Sequence, residues 1–159
     1  AAPTWLPPAD FAAAPYAAMS RTNLYASPED AEAAFYQAIA NADLDALMSL
    51  WSEDEEVVCV HPTGQQLTGL AAIREGWRQV FAVARIRIDY TPAMQWQGML
   101  LSVHHVMEML YVGGEDHPSG PLQATNVFAR GAHGWRLVCR HVSASSGQTD
   151  DSSESRILH

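Results

Sequence analysis

A chain of 159 residues and 17.4 kDa, 48% hydrophobic and 17% charged, has room for one domain with a real core and is too apolar to remain disordered. Its net charge of −9, from 9 basic and 18 acidic residues, gives no basic footprint for DNA or RNA. All the basic residues are arginines, which excludes Schiff-base, pyridoxal-phosphate, P-loop and kinase-type lysine chemistry.

Residues 1–27 read as an Ala/Pro-rich arm that packs on the domain through Trp5, Phe11 and Tyr16 or is partly disordered. No apolar stretch follows a basic start, so no secretory signal is read there, and Met19 offers an alternative natural start. Ser27-Pro28-Glu29-Asp30 predicts a helix: a capping hydroxyl, proline in the first turn, and acids at the positive end of the dipole. Ala31, Ala34, Phe35, Ala38, Ile39 and Ala42 follow at helical spacing. Asp43 caps a second, short helix carrying Leu44, Leu47, Met48 and Trp51, and the acids Glu53 to Glu56 form a solvated loop after it.

Val57 to His61 reads as a short buried strand stopped by Pro62-Thr63-Gly64. Gly69 opens a third helix with Ile73, Trp77, Val80, Phe81 and Ala84 on one face. The period then changes to two. Ile86, Ile88 and Tyr90 alternate with Arg85, Arg87 and Asp89, and strands are expected over Met99–Val112, Leu122–Arg130 and Trp135–Ser145. The polar tail 146–159 lacks core formers and is expected to be disordered. Helices first and consecutive strands afterwards predict an α+β domain over 28–145: a curved antiparallel sheet with three N-terminal helices on one face, enclosing a pocket.

The ordered set Val60-His61-Pro62, then Gly69 with Ile73 and Trp77, then Ala124-Thr125-Asn126-Val127-Phe128, Gly134-Trp135-Arg136-Leu137-Val138 and His141-Val142-Ser143 resembles the SnoaL-like branch of the nuclear-transport-factor-2-like superfamily. It is similar also to the association domain of calcium/calmodulin-dependent kinase II. The resemblance covers about residues 29–145 and implies a cone-shaped pocket, a homodimer paired through the outer sheet face, and a His-Pro at the pocket mouth. It does not imply one activity, because the fold carries isomerases, dehydratases, hydrolases, cyclases and inert assembly domains. The aspartate, tyrosine and histidine constellations of the family's isomerases and dehydratases have no residue-by-residue match here.

Candidate site residues are therefore chosen by residue chemistry. Strict alternation along the last strand puts Trp135, Leu137, Cys139, His141 and Ser143 on the core face, with Arg136, Arg140 and Val142 outside. His141 is then a cavity histidine able to move protons, with His61 as its catalytic companion. Asn126 is disfavoured in a strand interior and is a pocket polar group whose amide wants partners. In the kinase association domain the matching position carries a pocket arginine. His104 and Glu108 share a strand face and form either a candidate proton-transfer pair or exposed residues at a dimer face. The resemblance implies that Trp51, at the end of the second helix, borders the cavity. The expected ligand is a small apolar molecule, handled by acid/base chemistry of an isomerase, dehydratase or hydrolase type; the alternative is a non-catalytic binding or assembly module of the same fold. No cofactor, metal, nucleotide, nucleic acid or membrane is expected. The widely separated Cys59 and Cys139 read as reduced thiols of a cytoplasmic protein.

Overall fold

The first helix, α1 (Pro28–Ala40), starts where Ser27 accepts a hydrogen bond from the Asp30 amide at 3.1 Å. Its buried positions, Pro28, Ala31, Glu32, Phe35, Tyr36, Ala38 and Ile39, recur every three or four residues and make one stripe. Glu32 and Tyr36 lie within that stripe, so the helix carries two polar groups into the core. Asp43 caps α2 (Leu44–Ser49) through the Ala46 amide at 3.0 Å. The third helix, α3 (Leu70–Val83), begins after Gly69, whose φ of 85° suits glycine. These residues belong to a computed structural model that describes 24–144. The arm before Leu24 and the tail after Ala144 lie outside the described residues, and with them Trp5, Phe11 and Tyr16.

Among the described residues there are six strands, two before α3, β1 (Val58–Val60) and β2 (Gln66–Thr68), and four after it, β3 (Ile86–Gln97), β4 (Leu101–Val112), β5 (Ser119–Gly131) and β6 (Gly134–Ala144). They form one sheet in the order β2-β1-β6-β5-β4-β3. All neighbours are antiparallel except β1 and β6, which run parallel. The expected α+β architecture is the one found: three helices on a curved, unclosed sheet. β2 was not read from the sequence. It is only three residues long, two of them polar, too short to show a period.

The main core joins α1, α2, α3 and the inner sheet face. Phe35 meets Tyr36, Trp51 and Trp77 edge-on, at 5.6, 6.4 and 6.0 Å between ring centroids. Trp77 and Leu137 are buried as expected. Val80 and Phe81 are only half-buried, and Val127 lies on the outer face, because Ala124, Asn126 and Phe128 point inward.

A bulge in β6 decides the site. Val127 pairs with Cys139 but Phe128 pairs with Leu137, so Val138 is an extra residue. Before it, Trp135 and Leu137 point inward. After it, the phase is inverted, and Arg140 and Val142 are inward at 3% and 4% exposure while His141 is exposed. Strict alternation thus fails for the second half of the strand, and the expected cavity face of His141 and Ser143 is its outer face. The bulge falls where β6 changes partners. Leu137 exchanges hydrogen bonds with Leu50 and Ser52, whereas Cys139 begins the pairing with β1.

Candidate functional site

On the inner face, β4 contributes Ser102, His104 and Glu108, β5 contributes Asn126, β6 contributes Arg140, and α1 lays Glu32 and Tyr36 over them. All seven are buried. Arg140 and Glu108 pair end-on, Nη1 to Oε1 at 2.8 Å and Nη2 to Oε2 at 3.1 Å. The Tyr36 hydroxyl donates to Glu108 Oε1 at 2.6 Å, and Arg140 Nη1 donates to Asn126 Oδ1 at 2.9 Å. The Asn126 amide nitrogen donates to Glu32 Oε2 at 3.0 Å and to the Tyr36 oxygen at 3.1 Å. Glu32 Oε1 lies 3.0 Å from His104 Nδ1, and His104 Nε2 lies 3.0 Å from Ser102 Oγ.

Burial pushes the Tyr36 hydroxyl well above its ordinary pKa, reinforced by the adjacent Glu108, so Tyr36 remains a donor. Burial works against the Arg140 charge. The Glu108 carboxylate outweighs it and holds the guanidinium protonated. Removing either member of such a pair strands a buried charge, whereas the intact pair adds little net stability and sets which groups face each other. The order Ser102–His104–Glu32 has the connectivity of a nucleophile triad. Ser102, however, is fully buried and its hydroxyl donates to the Trp96 carbonyl at 3.3 Å, so no substrate reaches it.

At the Glu108–Arg140 end the packing between α3 and the sheet opens into a pocket of about 460 Å³, within the range of small-molecule sites. Its walls are apolar, including Trp77, Val80, Ile86, Ile88, Leu122 and Val142. His61, Glu108 and Arg140 are the ionisable residues lining it, and Thr63, Gln65 and Gln79 are neutral polar ones. Burial, with Arg140 adding to it, lowers the His61 pKa below its ordinary value, so the imidazole is neutral at physiological pH. The His61 ring meets Trp77 edge-on at 5.5 Å. Its Nε2 is sealed without a partner, next to Gly76, where an added Cβ would come within 3.5 Å of that nitrogen and 2.4 Å of Leu67. Glycine at this position lets α3 lie close against the His61 strand end.

Of the residues chosen from sequence, His61 and Glu108 line the pocket. Asn126 and His104 lie instead inside the buried network, and the carboxylate partner of His104 is Glu32 rather than Glu108. Asn126 finds its partners in Glu32, Tyr36 and Arg140. Trp51 is wholly buried against Phe35 and does not border the cavity. His141 lies across the sheet from the pocket. Glu32, Tyr36 and Arg140 were missed. Glu32 and Tyr36 could have been found as polar residues at i and i+4 beside Phe35 on the apolar stripe. Arg140 could not, because only the bulge turns it inward. Among the described residues, no group of three or more His, Cys, Asp or Glu side chains is arranged to hold a metal ion.

Helices packed on the inner face of a curved, unclosed six-stranded sheet, with a pocket between α3 and that sheet, define the nuclear-transport-factor-2-like architecture. The chain belongs to the SnoaL-like domain family, which matches residues 29–146. It is similar to a Thiobacillus denitrificans protein named for the association domain of calcium/calmodulin-dependent protein kinase type II, with 37% identity over 77% of this chain and 98% of that one, at a TM-score of 0.73. A Streptomyces avermitilis protein named as a dehydratase of the nuclear-transport-factor-2-like family is 26% identical over 74% of this chain and 92% of that one, at 0.64. A ketosteroid isomerase-like protein of Erwinia carotovora atroseptica shares the fold at 16% identity and 0.62, over 74% and 94%. Among curated proteins none matches the chain.

Proposed function

We propose that this domain binds a small, mainly apolar molecule in the pocket between α3 and the sheet, with His61, Glu108 and Arg140 as its polar contacts. The observation that carries this reading is an apolar cavity of about 460 Å³ that ends on a buried ion pair. A cavity built only as a packing defect would not be expected to carry two charged side chains in its lining. Of the lining groups, His61 is the one whose ordinary pKa lies near neutrality, so any proton transfer in the pocket runs through its ring. Glu108 is already engaged by the Tyr36 hydroxyl and the Arg140 guanidinium. Filling the pocket tests the reading: Val80→Trp should abolish ligand-induced stabilisation, read as a thermal shift with a panel of small apolar compounds, while leaving the fold intact by circular dichroism. Undiminished shifts in a folded Val80→Trp protein would refute it.

The outer sheet face supports self-association into a homodimer. Val103, His105, Met107, Met109, Thr125, Val127 and Cys139 lie there half-buried, and Met94, Trp96 and Leu101 on the adjoining hairpin are 61%, 58% and 42% exposed. Likeness to a protein named for an association domain points the same way. Sedimentation at twice 17.4 kDa is the expected result, and a monomer at high concentration would refute it. Free Cys59 and Cys139 fit a reducing compartment such as the cytoplasm. Among the described residues no helix is long and apolar enough to cross a membrane.

A further inference from the structure

We infer that the pocket's ligand is a neutral molecule with a hydrogen-bond acceptor, a carbonyl-bearing apolar compound, whose oxygen docks on the Nε side of Arg140. The inference rests on the pocket reading above and adds the chemical class of ligand. Charge is the first argument. The ionisable lining residues are His61, Glu108 and Arg140, and the last two neutralise each other as an end-on pair. His61 is neutral, and the other polar lining groups, Thr63, Gln65 and Gln79, carry no charge. A ligand anion would therefore enter a low-dielectric site with no uncompensated cation, and beside the Glu108 carboxylate.

Donor geometry is the second argument. Glu108, Asn126 and Tyr36 occupy Nη1 and Nη2 of Arg140. No acceptor among the described residues meets its Nε–H. Unlike Nε of Arg136, which is sealed within the protein without a partner, Nε of Arg140 is not a sealed atom, and Arg140 lines the pocket. A guanidinium approached from this side presents Nε–H and an Nη2–H together, a fork suited to a carbonyl oxygen.

Three probes of one shape separate the possibilities: naphthalene, 2-acetonaphthone and 2-naphthoate, titrated against the full chain at pH 7.5 by calorimetry. The ketone is expected to bind about tenfold tighter than naphthalene, the worth of one hydrogen bond from a charged donor, and tighter than the carboxylate. Arg140→Lys keeps a cation opposite Glu108 but loses the fork, so the ketone's advantage should vanish while naphthalene still binds. If naphthoate binds tightest, or ketone and naphthalene bind alike, the inference fails and the pocket reading stands. If none of the three binds, both fail. Should Arg140→Lys not fold, the ranking in the unaltered protein decides the matter.

Discussion

The two ends of the inner sheet face are built from different materials. Under α1, the face is closed by Glu32, Tyr36, His104, Asn126 and Ser102, each holding a partner on another element, Ser102 through the Trp96 carbonyl. Under α3 it is open, apolar, and contains His61 Nε2 and Trp77 Nε1 without partners. Glu108 and Arg140 belong to both ends. Buried polar groups joined across elements make a rigid, specific framework, and apolar walls with few fixed polar groups make a space that accepts a guest. Stability should therefore be concentrated at the closed end and binding at the open one.

Breaking the shared ion pair gives the largest expected effect. Glu108→Ala strands the Arg140 guanidinium and should cost roughly 3–5 kcal/mol in urea denaturation. The double change Glu108→Leu with Arg140→Met should recover most of that loss. Asn126→Ala removes partners from Glu32, Tyr36 and Arg140 together and should cost roughly 1–3 kcal/mol, with the pocket's shape unchanged. If Asn126→Ala were as stable as the unaltered protein, the closed end would not be the framework described.

His61 sharpens the contrast through pH. Its folded pKa is lowered, so the unfolded chain takes up the proton first as pH falls through about 6.5. The resulting loss of stability begins there, grows down to the folded pKa, and is absent above neutrality. Thermal midpoints of His61→Gln should thus fall less steeply than those of the unaltered protein between pH 7.5 and 5. Equal slopes would show that the fold does not hold His61 neutral. The smallest effect is expected at His141, exposed on the outer face: His141→Ala should stay within about 0.5 kcal/mol in stability and leave the thermal shift with pocket ligands unchanged.

His61, Glu108, Asn126 and His104 are all legible as unusual residues in otherwise apolar stretches. What each one touches is not. The buried face of β4 can be read from His104, Val106 and Glu108, but the partner of His104 lies on α1, 72 residues away. Asn126 has the look of a pocket group because a lone strand amide needs partners, and the sequence does not say that Glu32, Tyr36 and Arg140 supply them.

Periodicity and capping depend on neighbours a few residues apart, which is why Ser27, Asp43 and Gly69 mark helix starts and why helices followed by strands specify an α+β sheet. Those features were determined by the sequence alone. The inward turn of Arg140 and the outward turn of His141 were decided by tertiary structure. They depend on one extra residue, Val138, accommodated where β6 passes from the Leu50–Ser52 segment to β1. A strand's phase is local only until a partner changes, and the partners here come from elsewhere in the chain.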